Sequence, residues 1–201
     1  MSNEKERLKR LRETLSYSFS DEDIRLYLGE NARVIEYKSL YNYNSITDLL
    51  PEDRSYVIIL VETKTRTGHY TALSRLGSNN NHFTLLYFDP YGVGVDGEFK
   101  YINSFWKKEL RENEKRLTNL IKNSGAELFY NDKDLQSHYS FVSTCGRWCV
   151  LWIMQFLKGM DLKQFLDYID YIVEVNNFDK YKKLKYDMVV IKLIGHMPNY
   201  N

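Results

Sequence analysis

The stretch STCGRWCVLWIMQFLKG (Ser143–Gly159) holds both cysteines of the chain, four residues apart. Behind them Val150–Leu157 is apolar except for Gln155. A segment apolar on nearly every side is a buried helix, so this one, from about Cys145 to Lys158, forms the centre of a core. It lies between strands and other helices rather than in an alternating βαβ repeat, which predicts an α+β fold. The sheet is mixed and largely antiparallel, and Cys145 stands at the N-terminus of the buried central helix.

The flanks supply the other elements. SYVIILVET (55–63), HYTALSRL (69–76) and HFTLLYFD (82–89) are β-rich runs, the last two separated by the turn cluster GSNNN. They read as consecutive antiparallel strands. RVIEY (33–37) and AELFY (126–130) are further strand candidates. Residues 4–16 form an amphipathic helix, Ser20 caps a second helix in DEDIRLYLG, and SITDLLP (45–51) is a short helix halted by Pro51. NSFWKKELRENEKRLTNLIKNSG (103–125) reads as one long helix with Asn103 as N-cap and Gly125 as stop. Another helix begins at Asp161, and DMVVIKLIG (187–195) is open between strand and helix. The expectation is a single domain over residues 1–201.

Composition narrows the class. The 201 residues are 43% hydrophobic and 15% aromatic, values of a folded globular chain. Charge is balanced, 28 basic against 27 acidic residues, which gives no bulk attraction to nucleic acid or anionic membrane. The local basic runs ERLKRLR (Glu6–Arg12) and KYKKLKY (Lys180–Tyr186) read as solvated helix faces. The opening MSNEKERLKRLRE (Met1–Glu13) has no secretory apolar region, and no apolar run approaches the ~20 residues that span a bilayer. Two cysteines make no disulfide framework, so the expectation is a soluble protein made in a reducing compartment.

The cysteine pair is open to four readings: a redox pair, half a metal site, core filler, or a nucleophile with a bystander. A zinc site needs more ligands than Cys145, Cys149 and a distant His138 supply. A thioredoxin-like pair has two intervening residues, and here there are three. Cys145 follows Ser-Thr and precedes Gly146 at a helix start, where free amides and the helix dipole favour a thiolate. The same amides can receive an oxyanion. Cys149, one turn further in, has neither advantage and reads as structural.

A nucleophilic thiol needs a base. Of four histidines, His196 lies in the C-terminal tail and His82 follows an Asn-rich loop. His69 opens a strand whose antiparallel neighbour ends in FDPYG, which brings Asp89 near it. A carboxylate there would fix the imidazole tautomer and steady its charged form. Asp89 is equally a good turn residue before Pro90, and both roles are compatible.

TGHYTAL, FDPYG and LQSHYSFVSTCGRWC, in the order His, Asp, Gln, Cys, resemble the adenovirus maturation proteases (adenain) and the related SUMO-protease superfamily. The nearest look is to the cysteine proteases of virophages, Polinton/Maverick transposons and large DNA viruses. The resemblance covers about residues 45–160, and its motifs are specific as a set rather than singly. It implies an adenain-like fold with His69 as base, Asp89 as its orienting acid, Cys145 as nucleophile and Gln136 as oxyanion donor. Tyr70 stands where that family usually has Trp. Gln136 precedes Cys145 by nine residues, a longer spacing than usual, so SHYSFVST must bulge. His138 is a rival donor. Residues 1–44 and 161–201 match nothing in the family.

The resemblance further implies a viral cysteine endopeptidase that processes capsid or other virion precursors, cutting after small residues. It needs no metal or organic cofactor, works as a monomer in the virion and host cytoplasm, and leaves a DNA or peptide activator open. The alternatives are an isopeptidase that removes a ubiquitin-like modifier and a non-enzymatic virion protein on a decayed protease fold.

Overall fold

The computed structural model describes residues 2–64, 67–79, 82–109 and 114–195. His196 lies outside the described residues. Five strands form one sheet in sequence order: β1 (Val34–Glu36), β2 (Tyr56–Lys64), β3 (Thr67–Asn79), β4 (His82–Phe88) and β5 (Glu127–Tyr130). The central pairings β2–β3 and β3–β4 are antiparallel, while β1 and β5 join the edges in parallel. The sheet is thus mixed and largely antiparallel, in an α+β fold.

The near-continuous apolar run of β2 has a simple cause: both faces of the sheet are covered. Val57, Ile59 and Val61 enter one core cluster, and Ile58 enters the other. The Ile58 cluster lies under the helices α2 (Asp21–Leu28), α6 (Cys145–Leu157), α7 (Leu162–Val175) and α8 (Lys185–Leu193). The cluster of Val57, Ile59 and Val61 is closed by α3 (Ile46–Leu49), α5 (Arg116–Ser124) and 3-10 turns at Tyr37–Asn42 and Gly97–Tyr101. The remaining helices, α1 (Ser2–Ser16) and α4 (Ser104–Glu109), are mostly exposed.

The helix starts follow their caps. Ser20, Ser45 and Asp161 each accept a backbone N–H from the first turn of α2, α3 and α7 in full capping boxes. Every residue of α6 except Met154 and Leu157 is buried, as its composition predicts.

One expectation is revised and one open reading is settled. Residues 103–125 are not one helix but two, α4 and α5. Asn103 does cap the first, accepting Trp106 N–H at 3.0 Å, and Gly125 does end the second at φ 67. Between them Lys115 turns to φ 45, and α5 begins afresh on caps from elsewhere. Tyr37 Oη accepts Leu117 N–H, and Asp96 Oδ2 accepts Thr118 N–H, both at 3.0 Å. This lets Leu117, Leu120 and Ile121 dock into the core, while α4 buries nothing. The open segment 187–195 is helical as far as Leu193, in α8.

The N-terminal region, which matched no motif, is fastened to the central helix. Arg147 Nη1 donates to Tyr17 O at 2.6 Å, and the guanidinium lies 4.4 Å over the Phe19 ring. Gly146 answers that approach, because a Cβ there would sit 2.8 Å from Phe19 Cβ. Among the described residues no helix is long and apolar enough to cross a membrane.

Candidate active site

The β3–β4 hairpin and the tip of α6 meet at a cleft of about 320 Å³ lined by His69, Tyr91, Glu98, Gln136 and Cys145 among others. Ser18 of the N-terminal region also lines it.

His69 enters from β3, paired with Val61 of β2. Its Nε2 donates to Asp89 Oδ1 at 2.7 Å. Asp89 stands just past β4 and is fully buried. It also accepts Tyr91 N–H at 2.8 Å and Val93 N–H at 3.2 Å, so one side chain closes the DPYG turn and holds the imidazole. Asn131 locks the Asp89 backbone from β5's end, accepting its N–H and donating to its carbonyl. The turn residue and the histidine's partner are therefore the same group.

Cys145 lines the same cleft as His69, and the imidazole and the thiol stabilise each other's charged forms. Burial alone would push His69 down, but Asp89 and Cys145 more than offset it and raise the imidazolium to about 10. Burial likewise opposes ionisation of Cys145, yet the His69 hydrogen bond and charge, with the amides of Tyr70 and Gly146, hold the thiol below its ordinary value. Burial pushes against Asp89 too and is outweighed by His69, keeping the carboxylate low. Each group favours the charged form of its neighbour, which is the condition for a thiolate–imidazolium pair.

The start of α6 keeps its amides open. Thr144 makes no side-chain cap, because its Oγ1 donates instead to Asp187 Oδ1 at 2.6 Å. Asp187 Oδ2 accepts Ser137 N–H at 3.0 Å. This buried aspartate on α8 thus clasps both ends of the long segment between Gln136 and Cys145. Burial raises its pKa to about 6. The unusual spacing is absorbed by a loop closed on a residue far downstream.

Gln136 is 2% exposed. Its Nε2 donates to Tyr91 Oη at 3.0 Å, and its Oε1 has no partner. Tyr91 is sandwiched between two histidines, 4.3 Å from the His69 ring and 4.5 Å from that of His138. His138 Nε2 is engaged by Asp134 at 3.1 Å, and its side chain is 56% exposed. His82 is exposed at the start of β4, away from this cleft. The structure therefore brings His69, Gln136 and Cys145 to one cleft, with Asp89 buried against His69 and His138 on the rim. Cys149 is fully buried one turn below, donating Sγ to Tyr70 O at 3.3 Å.

Three contributors escaped the sequence: Tyr91, Asp187 and Glu98. Tyr91 lay inside the FDPYG motif without a role. Asp187 and Glu98 carry no local signal, since their partners are distant in the chain. Among the described residues, His69, Asp89 and Glu98 are the group whose donor atoms lie close enough to share a cation, all within 4.8 Å. His69 and Asp89 are already spent on each other.

No family model matches the chain. A Sputnik virophage protein, "Uncharacterized protein V9", is 30% identical over 163 residues, spanning 81% of this chain and 89% of its own. Among solved structures, the ASFV pS273R protease superposes with a TM-score of 0.43 at 8% identity. That match covers 76% of this chain and 62% of the protease, so the chain spans less than two thirds of it. The central domain of Lpg1148 from Legionella pneumophila gives a TM-score of 0.36 at 12% identity, covering 90% and 89% of the two chains. Both likenesses are loose, and the chemistry of the cleft has to be read from its own side chains.

Proposed function

We propose, for a chain that belongs to the family of the Sputnik virophage protein V9, the activity of a viral cysteine endopeptidase that processes virion precursor proteins. One observation carries the reading: His69 Nε2 holds buried Asp89 at 2.7 Å, and the same imidazole shares a cleft with the Cys145 thiol at an uncapped helix tip and lowers its pKa. A nucleophile, a base and an orienting acid in that order form the arrangement covalent acyl transfer requires.

In this mechanism the Cys145 thiolate attacks the scissile carbonyl. The oxyanion is received by the Cys145 backbone N–H and by Gln136, whose amide has a second N–H beyond the one given to Tyr91. His69 protonates the leaving amine, and water, deprotonated by His69, hydrolyses the thioester. His138 is the weaker donor candidate, because its Nε2 is taken by Asp134 at the rim. No step calls for a metal or cofactor.

The virophage relative supports a viral setting, with capsid or other virion precursors as substrates in the virion and host cytoplasm. The test is incubation of the purified protein with the co-encoded capsid precursor and, separately, with ubiquitin-like modifier conjugates. Trimming of the precursor at one or two sites, absent with Cys145→Ala, is the expected result. Release of modifier with the precursor intact would replace the endopeptidase by an isopeptidase.

A further inference from the structure

Glu98 lies on the 3-10 turn Gly97–Tyr101, nine-tenths and more hidden from solvent at 3% exposure, and lines the same cleft. Its Oε1 accepts the Tyr87 hydroxyl at 3.2 Å, and its Oε2 finds no donor. A buried carboxylate oxygen without a donor is costly. The neighbour within reach is itself a carboxylate, Asp89, with an oxygen within 4.8 Å and committed as an anion to His69 and two amides. Two buried anions at this separation repel. A hydroxyl on Glu98 Oε2 removes both problems at once, since it satisfies that oxygen and gives Asp89 one more donor.

We propose that Glu98 is a positioning residue, the donor of a carboxyl proton to Asp89, and so the fourth member of the chain Cys145–His69–Asp89. The inference rests on the endopeptidase reading for its catalytic consequence, though not for the proton itself. Burial first, and the Asp89 charge second, push the Glu98 carboxyl up to about 8, so it is neutral at pH 7. The groups facing it are His69 from β3 and Tyr87 and Asp89 from β4 and its turn, and its charge also acts at longer range on Cys149 of α6. Above pH 8 a second buried negative charge appears beside Asp89, loosening its hold in the turn and binding the proton more tightly to His69. A carboxyl whose folded pKa exceeds its unfolded value contributes stability that is complete below about pH 4 and lost as pH rises through about 8.

Infrared difference spectra of the wild type and Glu98→Gln test the proton without any substrate. At pH 7 the wild type should show a carboxylic-acid carbonyl band that the variant lacks and that disappears with a midpoint near 8. Asp187, raised to about 6, titrates earlier and is common to both proteins. In turnover, the alkaline limb of kcat/KM should begin near 8 in the wild type and move towards the His69 value of about 10 in Glu98→Gln. Glu98→Ala should lose about 10–100-fold at pH 7, the equivalent of one hydrogen bond to a charged group, and Glu98→Gln should recover most of it. Identical carboxylic-acid bands in the two proteins, or an unmoved alkaline limb, would overturn the proposal. A band that behaves as expected in a protein that cleaves nothing would instead leave Glu98's proton standing and remove the endopeptidase reading.

Discussion

Cys145 and Cys149 sit one turn apart on α6 and both meet the backbone of Tyr70 of β3, one at its N–H and the other at its carbonyl. The Tyr70 amide supports a thiolate at Cys145, whereas the Tyr70 carbonyl accepts the S–H of Cys149 at 3.3 Å. One residue thus supplies a donor to the first sulfur and an acceptor to the second. His69 and the open helix tip add to the first bias. Burial and the nearby Cys145 charge add to the second, pushing the Cys149 thiol well above its ordinary value. The same residue type in the same helix becomes reactive or inert according to which backbone groups face it.

Variants can break this contrast at several strengths. Cys145→Ala should abolish precursor cleavage while the thermal midpoint stays near wild type, because a helix-tip Ala opens little cavity. Residual cleavage in that variant would assign the chemistry elsewhere. His69→Ala should come close to the same loss. Asp89→Ala should cost less, up to about 10⁴ in kcat, because orientation is lost while the base survives. It should also lower the thermal midpoint, since Asp89 closes the turn as well. Full activity across the pH range in Asp89→Ala would reduce it to a turn residue.

Gln136→Ala should lower kcat by about 10²–10³ with KM little changed. If His138→Ala shows that loss and Gln136→Ala does not, the oxyanion donor is the rim histidine. The smallest effect belongs to the inert partner. Cys149→Ala should leave turnover unchanged and cost about 1 kcal/mol of stability from the small void, read by denaturant titration. A large drop in kcat with unchanged stability would show that the second sulfur takes part.

How much of this was visible in the sequence depended on how local the physics was. The β3–β4 pairing follows from GSNNN between two β-rich runs, and it carries His69 towards Asp89. The apolar character of Val150–Leu157 makes α6 central and puts Cys145 at its tip. Both need only neighbours in the chain. The split of residues 103–125 was hidden, because the caps of α5 come from Tyr37 and Asp96. The loop before Cys145 could be foreseen as a bulge, but its clasp is Asp187, in a segment whose very helicity was open. Glu98 was silent for the same reason, an acid in a short turn that matters only where the fold carries it.

The most direct measurement is the rate of Cys145 alkylation by limiting iodoacetamide at neutral pH, mapped by peptide, in the wild type and His69→Ala. The wild type should be labelled at Cys145 and spared at Cys149. Loss of His69 should slow the Cys145 rate, as its thiol returns towards the ordinary value of 9.0. Labelling mainly at Cys149, or an unchanged Cys145 rate in His69→Ala, would contradict the thiolate–imidazolium pair on which the account stands.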